Sequence, residues 1–183
     1  MIFFGVLSLL LTLCAFILAG CACFSPIFGR ATGYKTIYLF EVGQASSTGK
    51  DSCFRNTVYF NLVRGSVVTS SVIGFIAFIV VILTILRGRM AFLMCLSPCF
   101  SFIAFLLMAL CTAIMSVEYF VGFCSDDGGS GKKPLKGVFK LCCGFYLLVT
   151  SCAVYLGSLI AQFFALLSWA AFLNEMCMYL EEL

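Results

Sequence analysis

Four stretches of this chain, residues 2–24, 66–86, 90–117 and 141–173, each run for at least 20 residues without a charged side chain. A helix rises about 1.5 Å per residue, so about 20 apolar residues cross a hydrocarbon core roughly 30 Å thick. Lipid offers no hydrogen bonds to the backbone, and an isolated segment can satisfy its own amides only as a helix. The four runs therefore predict an all-α integral membrane protein, a four-transmembrane-helix bundle in one domain spanning residues 1–183. Composition agrees: 63% of residues are hydrophobic and 10% charged, against about half and about a quarter in soluble domains. The first run is read as a span rather than a secretion signal, because no Lys or Arg precedes it. No internal repeat stands out.

The connections are unequal. Arg87-Gly88-Arg89 alone joins the second and third runs, which makes them a tight antiparallel pair. Residues 124–140 hold Asp126, Asp127, a Gly/Ser cluster and four lysines, a solvated loop. Residues 25–65 are long enough for a cap of their own. Residues 35–42 and 53–60 are rich in β-branched and aromatic side chains, so two strands are expected there, held on the helix ends because a lone hairpin is marginal. The third and fourth runs exceed what a bilayer needs. The acidic tail, residues 174–183, is expected to leave the membrane.

Two arguments about orientation oppose each other. Nine of the 11 Lys and Arg residues lie in the first and third connections, which by the positive-inside rule places both termini outside. Cys21, Cys23, Cys53, Cys124, Cys142 and Cys143 gather at that same end, and a cysteine cluster suits an oxidising, extracellular or lumenal face.

The layout, with four spans, a strand-bearing first loop, a short basic second connection and an overlong third helix, resembles the claudin-like architecture. Within it the chain is most similar to the amastins, small surface proteins of trypanosomatid parasites. Their first-loop signature has a Cys, a short hydrophobic stretch with Ser or Thr, Trp-Gly, a basic residue and a closing Cys. Gly33-Tyr34-Lys35-Thr36 fits the Gly and basic positions; Thr32 stands in the Trp position, and Phe28 and Tyr38 in the two Cys positions. The resemblance implies a plasma-membrane protein with cytosolic termini and a role at the cell surface.

Small residues recur every fourth position at Ala153, Gly157, Ala161 and Ala165, and again at Ser66, Ser70 and Gly74. Such spacing lets helix backbones approach closely in lipid. The expected use is packing within the bundle, with Gly157 intolerant of a large side chain; lateral self-association is the alternative. Gln162 is the one amide deep in a span and is expected to bond a neighbouring helix. Glu118 is expected on a solvated helix extension, near Lys136, Lys140 or Arg64. Cys53 and Cys124 are a candidate disulfide, with Cys21 and Cys23 as competing partners.

The chain has no histidine, which removes the commonest general base and metal ligand. It has no CxxC pair, no phosphate-binding loop and no Asn-X-Ser/Thr acceptor. No acid or base lies centrally in a span, where ion-coupled transporters place them. The net charge of +3 is dispersed, and nucleic acid is not an expected partner. The sequence reads as a non-enzymatic multi-pass protein without catalytic residues, metal or cofactor. Its expected partners are membrane lipids, further copies of itself or other membrane proteins. The alternative reading is an accessory subunit of a larger complex in an organellar inner membrane or endomembrane.

Overall fold

The computed structural model describes residues 2–30, 36–40, 58–87, 91–121 and 139–181. Four helices carry the fold: α1 (Ile2–Phe24), α2 (Val58–Arg87), α3 (Ala91–Phe120) and α4 (Cys143–Glu181). All four contain an apolar span long enough to cross a membrane. Only 28–33% of each span's most apolar window is buried inside the protein, so most of its apolar surface faces outward, as lipid contact requires.

The helices pack in the cyclic order α1–α2–α3–α4, each antiparallel to its neighbours. At one end Phe4 of α1 stacks on Phe164 of α4, with ring centroids 5.8 Å apart. At the other end the start of α4 meets the chain just beyond α1. A Cβ on Gly144 would lie 2.8 Å from the carbonyl oxygens of both Ser25 and Pro26, so glycine is what allows that approach. The first turn of α1 and the last turns of α4 therefore share the end at which α2 gives way to α3.

What selects the inward face is a 4-3 alternation present on all four helices. The buried positions are Ser8, Thr12, Ala15, Ala19 and Ala22 on α1, and Val63, Val67, Ser70, Gly74, Ala77 and Val81 on α2. They continue as Ser97, Ser101, Ala104, Met108, Cys111, Met115 and Glu118 on α3, and Leu148, Ser151, Tyr155, Ser158 and Gln162 on α4. A mean spacing of 3.5 is the signature of left-handed, knobs-into-holes packing. Most of these side chains are small, which brings the backbones together and makes dispersion and hydrogen bonding effective where hydrophobic driving force is absent.

The cap is a three-stranded antiparallel sheet in the order β2–β1–β3, formed by β1 (Pro26–Arg30), β2 (Thr36–Tyr38) and β3 (Phe139–Leu141). It ties the segments before α2 and before α4 to the end of α1. The Cys142 amide adds a bond to the Ile27 carbonyl, 2.8 Å. Ile27 and Phe28 of β1 and Leu39 just after β2 are fully buried, and Phe28 stacks on Tyr119 at 6.0 Å. Arg64 donates from Nε to the Leu39 carbonyl and lies 5.9 Å from the centre of the Phe40 ring, joining the cap to α2.

The cap differs from expectation in detail. Of the two expected strands, the first is present as β2. Of the second, residues 58–60 instead form the first turn of α2, and residues 53–57 lie outside the described residues. The strands that complete the sheet, β1 and β3, come from segments with little strand signature of their own. Helix α2 starts at Val58 rather than at 66, and α4 is continuous over 39 residues into the acidic tail.

Candidate functional site

Two groups stand out among the inward-facing polar residues of the spans. The first holds helices together. Ser151 Oγ donates to the Ala15 carbonyl, 2.8 Å, joining α4 to α1. Ser70 Oγ donates to the Ala104 carbonyl, 3.1 Å, joining α2 to α3. Tyr155 Oη reaches the Ser70 carbonyl, 3.4 Å, across the diagonal. Between α1 and α2 aromatic packing takes over, with Phe16 5.8 Å from Phe75.

Gln162 is at the centre of the longest network. Its Nε2 donates to Ser101 Oγ on α3, 2.9 Å, and to Ser158 Oγ on α4, 3.2 Å. Ser158 Oγ is 2.6 Å from Thr12 Oγ1 on α1, and Thr12 also reaches the Ser8 carbonyl at 2.7 Å. Ser158 Oγ also lies 3.4 Å from the Ser8 carbonyl. With Nε2 facing Ser101 and Ser158, Gln162 Oε1 is directed away from both hydroxyls.

That oxygen belongs to the second group. Gln162 Oε1 and Ser97 Oγ are buried, their residues only 6% and 5% exposed, and neither has a hydrogen-bond partner among the described residues. Both line a half-open cavity of about 440 Å³ bounded by all four helices between the Gln162 network and the end at which α2 and α3 meet. Its polar rim also includes Ser8 and Thr84, whose protons go to the Gly5 and Val80 carbonyls at 2.9 and 2.8 Å. Met94, Pro98 and Trp169 supply apolar wall. Pro98 has no N–H, so the Met94 carbonyl one turn earlier lacks its usual helical donor. Among the described residues no charged side chain lines the space.

The residues singled out by sequence are distributed as follows. Ser66, Ser70 and Gly74 are buried against the other helices. On α4, Ala161 is buried, Gly157 and Ala165 are half-buried, and Ala153 is exposed. A four-residue step turns about 40° too far on a helix of 3.6 residues per turn, so that row winds across the surface of α4 while the 4-3 row stays inside. A Cβ on Gly157 would meet only Leu11 Cδ1, at 3.8 Å, an ordinary contact. One on Gly74 would overlap the Tyr155 hydroxyl and come within 3.1 Å of Phe16 Cβ.

Glu118 is not solvated. It is 2% exposed, and its Oε2 has no partner among the described residues. Cys21 and Cys23 carry free thiols, and Cys53 and Cys124 lie outside the described residues. Sequence reading missed Ser97, Pro98 and Trp169 as a group. A Ser-Pro step inside an uncharged run, with a lone amide in the next span, was the available signal. Among the described residues no group of three or more His, Cys, Asp or Glu side chains converges as a metal site would.

No family model matches the chain, and no curated protein matches it significantly in sequence.

Proposed function

We propose that this chain is a non-enzymatic multi-pass protein of the plasma membrane, amastin-like in role. It acts at the cell surface through its cap and through lateral contacts of its helices. The observation that carries the reading is the cap itself. Three strands from three separate segments fasten the first and third connections onto one end of the bundle, which makes a fixed platform for presenting both loops. Cytosolic termini follow, with the loops outside. In that orientation Cys53 and Cys124 face an oxidising medium and form a disulfide.

Tags on each terminus and in residues 124–138 test this by antibody access in intact cells. The expected result is surface labelling of the loop tag alone, with terminal tags reached only after permeabilisation. A non-reducing gel should then show a mobility difference that Cys53→Ser abolishes. Labelled termini on intact cells would reverse the orientation.

One observation favours the second reading, an accessory subunit of an organellar complex. Helix α4 is 39 residues long, about 58 Å at the helical rise, roughly twice the hydrocarbon core. A helix projecting that far has surface for a partner. Organellar fluorescence and co-purification with several other subunits in mild detergent would establish this reading in place of the first.

A further inference from the structure

We infer that the cavity beside Gln162 binds the head of a neutral, hydroxyl-bearing single-chain lipid, such as a monoacylglycerol. The inference is independent of where in the cell the protein resides.

The wall sets the chemistry of the occupant. Buried polar atoms without partners are costly and are rare in folded proteins. Here two lie on one cavity, Gln162 Oε1 and Ser97 Oγ. The first is an acceptor, since Nε2 of the same amide donates to Ser101 and Ser158. The hydroxyls of Ser8 and Thr84 have given their protons to their own helices and keep only lone pairs for the cavity. Pro98 leaves one further acceptor, the Met94 carbonyl, on the stretch of α3 that lines it. The wall is thus rich in acceptors, with one free hydroxyl to donate.

Such a wall selects a donor. With no Lys or Arg among the described residues of the wall, a carboxylate or phosphate head would be buried there without a counter-charge, and with no Asp or Glu among them an ammonium head would be too. A neutral head with hydroxyl donors matches. Size and exit agree: about 440 Å³ falls in the range of roughly 300–1,000 Å³ for small-molecule sites. Phe172 lines the cavity yet is 51% exposed, so an acyl chain has an apolar route from the head site to the surrounding membrane.

The cavity contains its own reporter, because Trp169 lines it and is the only tryptophan in the chain. The full-length protein in phosphatidylcholine vesicles is titrated with a monoacylglycerol brominated in mid-chain, and Trp169 fluorescence quenching is followed. The expected result is saturable quenching at a few mole per cent. A brominated fatty acid, ionised at alkaline pH, should quench much less at the same mole fraction. Ser97→Ala should shift half-saturation about fivefold, the value of one ordinary hydrogen bond. It removes an unpartnered hydroxyl and leaves the helix contacts in place. Ala165→Phe, which fills the cavity from its wall, should abolish the saturable part. Quenching that rises linearly with bromine and is equal for brominated phosphatidylcholine would mean that Trp169 senses only bulk lipid. That result, or a Ser97→Ala curve superimposed on the parent's, would overturn the inference and leave water as the occupant.

Discussion

Between the cap and Tyr155 the bundle is filled, whereas between Gln162 and the end of α2 it is open. The main buried cluster, from Ala15 and Ala22 through Val63, Met108 and Met115 to Leu148 and Tyr155, lies wholly in the first half, sealed by Ile27, Phe28 and Leu39 of the cap. The second half has the same 4-3 register, yet it holds a half-open cavity of about 440 Å³. The difference lies in side-chain size at the inward positions. On the filled side large residues are mixed with small ones: Met108 and Met115 on α3 share one buried cluster with Ala15, Ala19 and Ala22 on α1, and Tyr155 fills the space at Gly74. On the open side Ser8, Ser97, Ser101 and Ser158 are small on three helices at once. The same choice that lets helices approach leaves a void when no large partner is supplied. Packing alone therefore makes one half a scaffold and the other a container.

The filled half should be the more easily broken. Gly74→Leu places a side chain where the Tyr155 ring already lies, and overpacking of this kind should cost about 3 kcal/mol. Thermal unfolding in detergent should show a marked loss, with poor expression. Gly157→Ala meets only ordinary contact and should stay within about 0.5 kcal/mol of the parent. Equal losses at the two glycines would mean that the halves do not differ in the way described.

At the boundary, Gln162→Leu removes both bonds from Nε2 to Ser101 and Ser158. Interhelical hydrogen bonds in membranes are worth about 0.6–2 kcal/mol, so a loss near 1 kcal/mol is expected, measured the same way. A gain in stability would show that the network serves the cavity rather than the helix contacts.

The four spans were legible in sequence because lipid dictates helices to any uncharged run of that length. The cap was legible only in part. Residues 36–38 have β-branched and aromatic character, but Pro26–Arg30 contains Pro and Gly, and Phe139–Leu141 is three residues long; both become strands through pairing with each other. The burial of Glu118 was legible in principle. Counting 4-3 from Ser97 along α3 lands on it, whereas helix rise alone puts it beyond the hydrocarbon. The every-fourth stripe on α4 was the wrong period for a left-handed bundle, which is why Ala153 is exposed and Tyr155 is not. The cavity was not legible, since it depends on which small residues meet across four helices.

Glu118 sharpens the contrast from the filled side. Its Oε2 is buried without a partner among the described residues, so the carboxyl contributes desolvation without a compensating bond. Glu118→Gln preserves shape and removes the charge. It should raise stability by on the order of 1 kcal/mol at neutral pH, and the gain should shrink in acid, where the parent is protonated as well. A loss at neutral pH would mean that a cation from residues 122–138 pairs with it.

The smallest effect concerns two serines in chemically similar places. Ser151 and Ser97 are both buried on inward positions, but Ser151 donates to Ala15 across the α1–α4 contact and Ser97 donates to nothing. Ser151→Ala should therefore cost about 0.6 kcal/mol. Ser97→Ala removes an unsatisfied hydroxyl along with the cost of burying it, so in delipidated detergent it should be neutral or stabilising by a few tenths of a kcal/mol. Adding a monoacylglycerol should then stabilise the parent more than Ser97→Ala, because only the parent hydroxyl gains a partner. The sign difference between the two serines, read by thermal unfolding with and without lipid, separates a hydroxyl that holds helices from one that waits for a ligand. If both substitutions destabilise equally in detergent and respond equally to lipid, Ser97 has a structural partner and the open half is a packing defect rather than a container.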